Sequence, residues 1–490
     1  MRRGPLVTRT TMSFMPDSTV SNPLGSFPTG YHVAMTVNRR WVTGSGAGIL
    51  IALIGFSFWV TRADPRDQVD PQRNIILILV DTLRADHVGL YGYEERPATP
   101  NIDRFGRKGR WFESAWSTAP WTAPSVMSLM TSLNPAVHGF NLESHRFGSV
   151  VPRLSNSIHT LAEILRSNGY QTMAVTGGGG VGSAYGFDRG FDRFFEPEAI
   201  SGEDVEHGVD LALHWLRSVE TEKFFLFFHT YEVHLPNTHS GFAKGTSAAD
   251  EAAAAYDSDL AFADQHLNRL FDALETRNQT DDTLVVITSD HGENLHDRTL
   301  GERPVGHGHH LHDELLSVPL IFVAPGLIPA GEGIPGQVQL TDVMPTMLSL
   351  VGIDTNGLNL QGTDLRGILQ NWVPAPGSRP VFAGAPLQGP NWHSVRTSDA
   401  KFMVTPPVKG TDWWFHLNQP AKALYLLGAD PLERTNSHSS RPEIAADLEG
   451  ILRQQLKADA DLRRVFGPVT LTPIEDETLN NLVELGYLEQ

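Results

Sequence analysis

Four short apolar runs, each leading into polar residues, constrain this chain more than any other feature. Asn74-Ile75-Ile76-Leu77-Ile78-Leu79-Val80 ends at Asp81, and Lys223-Phe224-Phe225-Leu226-Phe227-Phe228 ends at His229. Leu284-Val285-Val286-Ile287-Thr288 leads to Asp290-His291, and Val318-Pro319-Leu320-Ile321-Phe322-Val323 is a fourth such run. Runs this short, with no polar alternation, read as strands covered on both faces, as in a parallel sheet. Helical patterns separate them, at 157–168, 204–221 and 253–274. Strands alternating with helices predict an α/β sheet with helices on both faces. Such sheets bind ligands beyond the C-terminal strand ends. Asp81, His229, Asp290 and His291 all fall there.

After about residue 380 the texture changes. Ser394 to Val404 reads as short alternating strands, Ala423 to Leu427 as another, and Glu443 to Leu456 as a helix. The predicted organisation is a catalytic domain over 74–380 and a smaller C-terminal subdomain over 381–490. Gly177-Gly178-Gly179-Gly180 lacks the spacing of a dinucleotide loop and reads as a flexible connection.

The chain has 490 residues, 40% hydrophobic and 19% charged, a composition that folds. Its formal net charge of −18 is the opposite of a nucleic-acid binder's basic footprint. An anionic substrate would therefore need local positive charge, which a bound metal supplies. With no cysteine there are no disulfides and no thiolate metal sites.

Trp41 to Thr61 carries no charge and is long enough to span a bilayer, which takes roughly 20 apolar residues. Arg39 and Arg40 precede it, so the positive-inside rule places the N-terminus in the cytoplasm and the rest outside. The expectation is a cytoplasmic, unstructured segment at 1–40, a single-pass anchor at 41–62 and a linker at 63–73. A cleaved signal peptide is the alternative, with Met35 as a plausible start. The catalytic part would then be periplasmic or extracellular.

Asp81 and Asp290-His291 at strand ends suit a divalent cation, the imidazole favouring Mn or Zn. Thr122 opens a helical pattern with Pro124 in the first turn, where Thr is ordinarily an N-cap. Taken together with their flanks, the three segments Val80-Asp81-Thr82-Leu83-Arg84, Trp121-Thr122-Ala123-Pro124-Ser125-Val126 and Thr288-Ser289-Asp290-His291-Gly292-Glu293 resemble the metal-site motifs of the sulfatase family, within the alkaline-phosphatase superfamily. The resemblance runs from about residue 74 to the C-terminus. It implies a large, mostly parallel mixed sheet between helices, and a small C-terminal α+β subdomain with an antiparallel sheet.

The resemblance also implies site roles. Asp81, Thr122, Asp290 and His291 match the one-metal set of Thr-type superfamily members, with Thr122 as nucleophile. Sulfatases carry Cys or Ser there, in Cys/Ser-x-Pro-x-Arg, and oxidise it to formylglycine. Here the Arg position is Val126, and no formylglycine is expected. Where sulfatases have a second Asp and an Asn, this chain has Thr82 and His291. That exchange of a carboxylate for a nitrogen favours Mn or Zn, with Ca and Mg as alternatives. His234, in x-His-x-Pro, and His307, in Gly-His-Gly, match positions that hold the substrate anion, and both are candidate catalytic residues, one of them protonating the leaving group. His229 is the lesser choice for the former, and His309, His310 and His312 are weaker candidates. Arg84 is a candidate substrate contact or a partner for a surface carboxylate. Glu232, His234 and His307 could imitate the second-metal set of two-metal relatives. The assisting Lys of sulfatases has no counterpart.

The resulting expectation is an outward-facing, membrane-anchored hydrolase of phosphate or phosphonate esters. Its rivals are a phosphoethanolamine- or glycerophosphate-type transferase, a sulfatase working without formylglycine, and a non-catalytic binding protein on the same fold.

Overall fold

The computed structural model describes residues 73–140, 150–197, 204–219, 222–242, 245–300, 303–387, 391–405, 421–473, 479 and 482–483. The Trp41 to Thr61 run and the N-terminal segment lie outside these. Among the described residues no helix is long and apolar enough to cross a membrane.

The main sheet has nine strands: β1 Asn74–Val80, β2 Arg110–Trp116, β3 Gln171–Val175, β4 Arg193–Phe195, β5 Phe224–Thr230, β6 Thr283–Thr288, β7 Ser317–Val318, β8 Leu320–Val323 and β9 Glu332–Gln339. β1 lies at its centre, parallel to β5 on one side and β6 on the other. β3 continues the parallel array beyond β5, and β4 follows it. The continuous apolar runs have the predicted cause. Ile75, Leu77 and Leu79 enter one core, while Ile76, Ile78 and Val80 enter the other. With period two, a strand buried on both faces has no position left for a polar residue.

The fourth run departs from the parallel pattern. Val318 to Val323 is split at Pro319 into β7 and β8, both antiparallel to β2, and β8 also runs antiparallel to β6. Pro319 has no N–H to give to a ladder, and its carbonyl instead accepts the Thr288 hydroxyl at 2.7 Å. An apolar run reports burial, not direction, so nothing local to the run marked this reversal. The sheet is therefore mixed.

One face is covered by helices Thr122–Thr131, Leu161–Ser167 and Val343–Leu350, the other by Pro100–Gly106, Asp204–Ser218 and Ala248–Thr276. The helix expected from residue 157 begins at Leu161. Thr160 accepts from Glu163 N while Glu163 accepts from Thr160 N, a reciprocal cap that sets the start. The helix expected at 253–274 is longer, with Ser247 accepting from Asp250 N at its start.

Gly177 to Gly180 is a packed turn and not a flexible connection. Gly177 N donates to His229 Nδ1 at 3.2 Å, Gly180 N donates to the Tyr231 hydroxyl at 3.0 Å, and Gly178 and Gly179 have positive φ. Its glycines admit close backbone approach to those two side chains, a role that composition alone does not reveal.

A second, four-stranded antiparallel sheet comprises Val381–Gly384, His393–Arg396, Ala400–Val404 and Lys422–Leu426. Helix Pro442–Phe466 covers one face through Ala445, Leu448 and Leu452. The other face packs Trp392, Met403 and Tyr425 against Trp116, Leu311 and Leu316. The small sheet is thereby fastened to the loop that follows His307.

Candidate active site

Three neighbouring strands deliver the site. Leu79 of β1 lies level with His229 of β5 and Thr288 of β6. The chain therefore exits β1 at Asp81, between His229 and the Ser289-Asp290-His291 turn. Leu83 N donates to Ser289 Oγ and Thr82 N donates to Asp290 Oδ1, fastening the two exits together. Thr82 holds φ +57°, a costly conformation for a β-branched residue, and Tyr256 locks it by donating to its carbonyl at 2.8 Å.

Thr122 is the first residue of its helix, with Trp121 at the cap position and no side-chain capping bond. Its hydroxyl is directed elsewhere. Oγ1 donates to Asp81 Oδ2 at 3.1 Å and lies 3.2 Å from His291 Nε2. The N-cap role is thus absent, and a helix N-terminus faces the carboxylates. Ser125, one turn on, donates to the Asp290 carbonyl at 2.6 Å. Val126, at the Arg position of the sulfatase pattern, is buried in the core.

Asp81, Asp290 and His291 offer ligand atoms within 4.8 Å of one another, all fully buried. Asp290 Oδ1 accepts from the Thr82 and His291 backbone N–H groups. Asp290 Oδ2 and Asp81 Oδ1 have no hydrogen-bond partner among the described residues. His291 Nδ1 donates to the Gly292 carbonyl at 2.9 Å, which leaves Nε2 as the lone-pair nitrogen. That lone pair lies 3.4 Å from Asp290 Oδ2 and 4.0 Å from Asp81 Oδ1. Two carboxylate oxygens and an imidazole lone pair converging in a buried site repel one another unless a proton or a cation sits among them. The donor set thus fits a divalent metal, and oxygen with nitrogen suits a transition ion.

Burial, reinforced by the Asp290 charge, raises Asp81 well above its ordinary value. Burial pushes Asp290 the same way, but the His291 and His229 imidazoles hold it below. Burial also lowers His291, His229 and His307 to about 4 and His234 to about 3.

The structure brings His234 and His307 together. Their ring centroids are 4.8 Å apart, and that of His307 is 4.5 Å from that of His291. His307 is carried between Gly306 and Gly308, at φ +106° and +83°, and Gly308 N donates to the Pro120 carbonyl beside Thr122. Arg84 goes elsewhere. Its guanidinium pairs with Asp86 and Asp297 and donates to the Glu293 carbonyl, so it ties loops together. Glu232 accepts from Val205 N and pairs with His239. Among the described residues, the ion-holding groups are the Asp81 set and a second one, His310, His312 and Glu314. In the second, Arg298 already pairs with Glu314, and burial, with the Arg298 and Lys401 charges adding to it, pushes both imidazoles well below the ordinary value.

Three residues that the sequence ranked low or passed over sit in this site. His229 Nε2 donates to Asp81 Oδ2 at 3.4 Å, its tautomer set by the Gly177 N–H on Nδ1. Tyr231 packs edge-on between His229 and His234. Glu293, fully buried, accepts from His307 Nδ1 at 3.1 Å. Their signal was only position, at a strand end or two residues past a ligand.

Known proteins bear on this geometry. Rat N-acetylgalactosamine-6-sulfatase is 34% identical over 131 residues, 25% of each chain. The chain thus aligns with about a quarter of that relative's length. A low-salt glycan biosynthesis sulfotransferase of Haloferax volcanii is 25% identical over 306 residues, covering 57% of this chain and 61% of that protein. The phosphonate monoester hydrolase of Agrobacterium radiobacter superposes with a TM-score of 0.63 at 18% identity, over 81% of this chain and 96% of that one. The Sulfatase family model matches residues 73–353, more than half of the chain, and on that match this protein belongs to the sulfatase family.

Proposed function

We propose that the chain is a metal-dependent ester hydrolase that uses Thr122 as nucleophile on phosphate or phosphonate esters. The observation that carries this reading is the Thr122 hydroxyl, turned away from its helix onto Asp81 and His291. Asp81, Asp290, His291 and Thr122 Oγ1 would hold one divalent ion, with Mn or Zn favoured. When bound, such an ion polarises a nonbridging oxygen of the ester and offsets developing charge. Thr122 Oγ1 would give its proton to Asp81 Oδ2, already its acceptor, and attack phosphorus while the bond to the leaving oxygen on the opposite side breaks and that oxygen takes a proton from solvent. The helix N-terminus favours the alkoxide. His234 and His307 would flank the anion, His234 stabilising developing charge once protonated and His307 serving proton transfer. Water then releases the group from Thr122.

A threonine cannot be oxidised to the aldehyde that sulfatases use, which is why phosphorus is preferred to sulfur here. Group transfer to an alcohol is the second reading, supported by the resemblance to a protein named as a sulfotransferase. The test is a rate comparison on the full chain supplied with Mn or Zn, using nitrophenyl phosphate, a nitrophenyl phosphodiester and nitrophenyl sulfate. We expect phosphoester turnover that Thr122→Ala reduces by about 10³-fold or more. Preference for sulfate, or full activity in Thr122→Ala, would overturn the reading. Product appearing only when an acceptor alcohol is added would favour transfer.

A further inference from the structure

The Glu293 carboxylate is the feature that this reaction scheme leaves without a task. It is fully buried, two residues beyond His291, with Oε2 3.1 Å from His307 Nδ1 and Oε1 without a hydrogen bond among the described residues. Arg84 approaches only its backbone carbonyl. The rings of His291 and His234 stand 4.5 and 4.8 Å from that of His307. A buried carboxylate that meets imidazoles and no fixed cation is costly if it serves only to fill space.

The surrounding backbone holds that side chain in place. Gly292 N donates to the Leu315 carbonyl, and a Cβ on Gly292 would stand 2.1 Å from the Glu314 carbonyl oxygen. The His307 loop is fixed from the other side, through Gly308 N on Pro120. Glu293 and His307 therefore meet from two independently anchored segments.

Building on the Thr122 reading above, we propose that Glu293 is a positioning residue that makes His307 the base for the second half-reaction. By accepting the Nδ1 proton, Glu293 fixes the tautomer in which Nε2 carries the lone pair. A water molecule then gives a proton to His307 Nε2 as its oxygen bonds to phosphorus. The bond from phosphorus to Thr122 Oγ1 breaks as Asp81 Oδ2 returns to that oxygen the proton it took in the first half-reaction, and His307 releases its proton to solvent. Glu293 stabilises the imidazolium in between. The first half-reaction does not need this proton transfer, because Thr122 already has Asp81 Oδ2 as its acceptor.

The two half-reactions separate in a burst experiment on the full chain with a nitrophenyl phosphoester. Glu293→Ala is expected to slow steady-state turnover by about 10²-fold while leaving the rate of the first nitrophenol burst within a few-fold of wild type. Acid-quenched Glu293→Ala should then carry phosphate on Thr122 at higher occupancy than wild type. Glu293→Gln keeps an acceptor for Nδ1–H without the charge and should lie between the two, with an unchanged melting temperature. The double variant Glu293→Ala/His307→Ala should turn over no more slowly than His307→Ala alone. Equal slowing of burst and steady state, no slowing of either, or additive losses in the double variant would overturn the role of Glu293. Absence of phosphate on Thr122 in every variant would instead remove the Thr122 reading on which it rests.

Discussion

His138 shows how one buried side chain couples this fold to pH. It lies in the short helix Pro135–His138, fully buried, accepting from Phe140 N through Nδ1 and directing Nε2 at Ser128 Oγ, 3.0 Å away. Burial, aided by the Arg463 charge, lowers it from the ordinary 6.5 to about 3. A group lowered in the folded state contributes stability above its unfolded value and loses it as pH falls. The contribution of His138 is thus whole above pH 6.5 and fades toward pH 3. Urea unfolding at pH 7, 5 and 4 should show a smaller acid-induced loss in His138→Gln than in wild type. Identical pH slopes would mean that His138 is not responsible. The residue scale also shows what sequence could and could not read. The place of Thr122 at a helix start was legible because Pro124 follows in the first turn. The partner of Arg84 was not, because Asp297 is far along the chain and only folding brings it near.

At the scale of elements, the site depends on strand exits and tight turns. The Asp290-His291-Gly292-Glu293 turn carries two candidate ligands and the carboxylate behind His307, and it passes so close to Glu314 that only glycine fits at 292. Gly292→Ala should therefore lower the melting temperature and reduce activity together, since the turn cannot move without moving His291. A variant with unchanged stability but lost activity would argue against that coupling. The strands themselves were legible as apolar runs, and β1 has the predicted bounds Asn74–Val80. The antiparallel direction of β8 was not legible, because pairing direction is decided by connections and not by the residues of the run. The Gly177 to Gly180 turn was misjudged for a related reason. A glycine run looks alike whether it is loose or closely packed, and His229 and Tyr231 decide which.

For the whole molecule, the joint between the large and small sheets centres on Lys401. Its ammonium is fully buried, 2.8 Å from Asp313 and 3.0 Å from Glu433, and Arg396 also pairs with Asp313. Asp313 follows the His307 to His312 loop directly, so this ion cluster links the small sheet to the site. Removing one member of a buried pair typically costs about 3–5 kcal/mol. Lys401→Ala should show a loss of that order in denaturant unfolding, with reduced occupancy of the active conformation of the His307 loop. A loss below about 1 kcal/mol would show that the joint is held by its apolar contacts, Trp116, Leu311 and Tyr425.

Read by itself, the sequence determined the layered α/β class and the strands β1, β5 and β6 with helices between them, and it placed Asp81, Asp290 and His291 at strand ends. Those features are local: periodicity reports burial, and motif residues sit at fixed offsets from strand ends. Only the tertiary structure decided that the Thr122 hydroxyl meets Asp81 and His291, that His229 touches Asp81, and that Glu293 stands behind His307. Each of these is a contact between segments with independent backbone anchors, and the distance between such segments is set by how sheet and loops pack, not by the residues in either one.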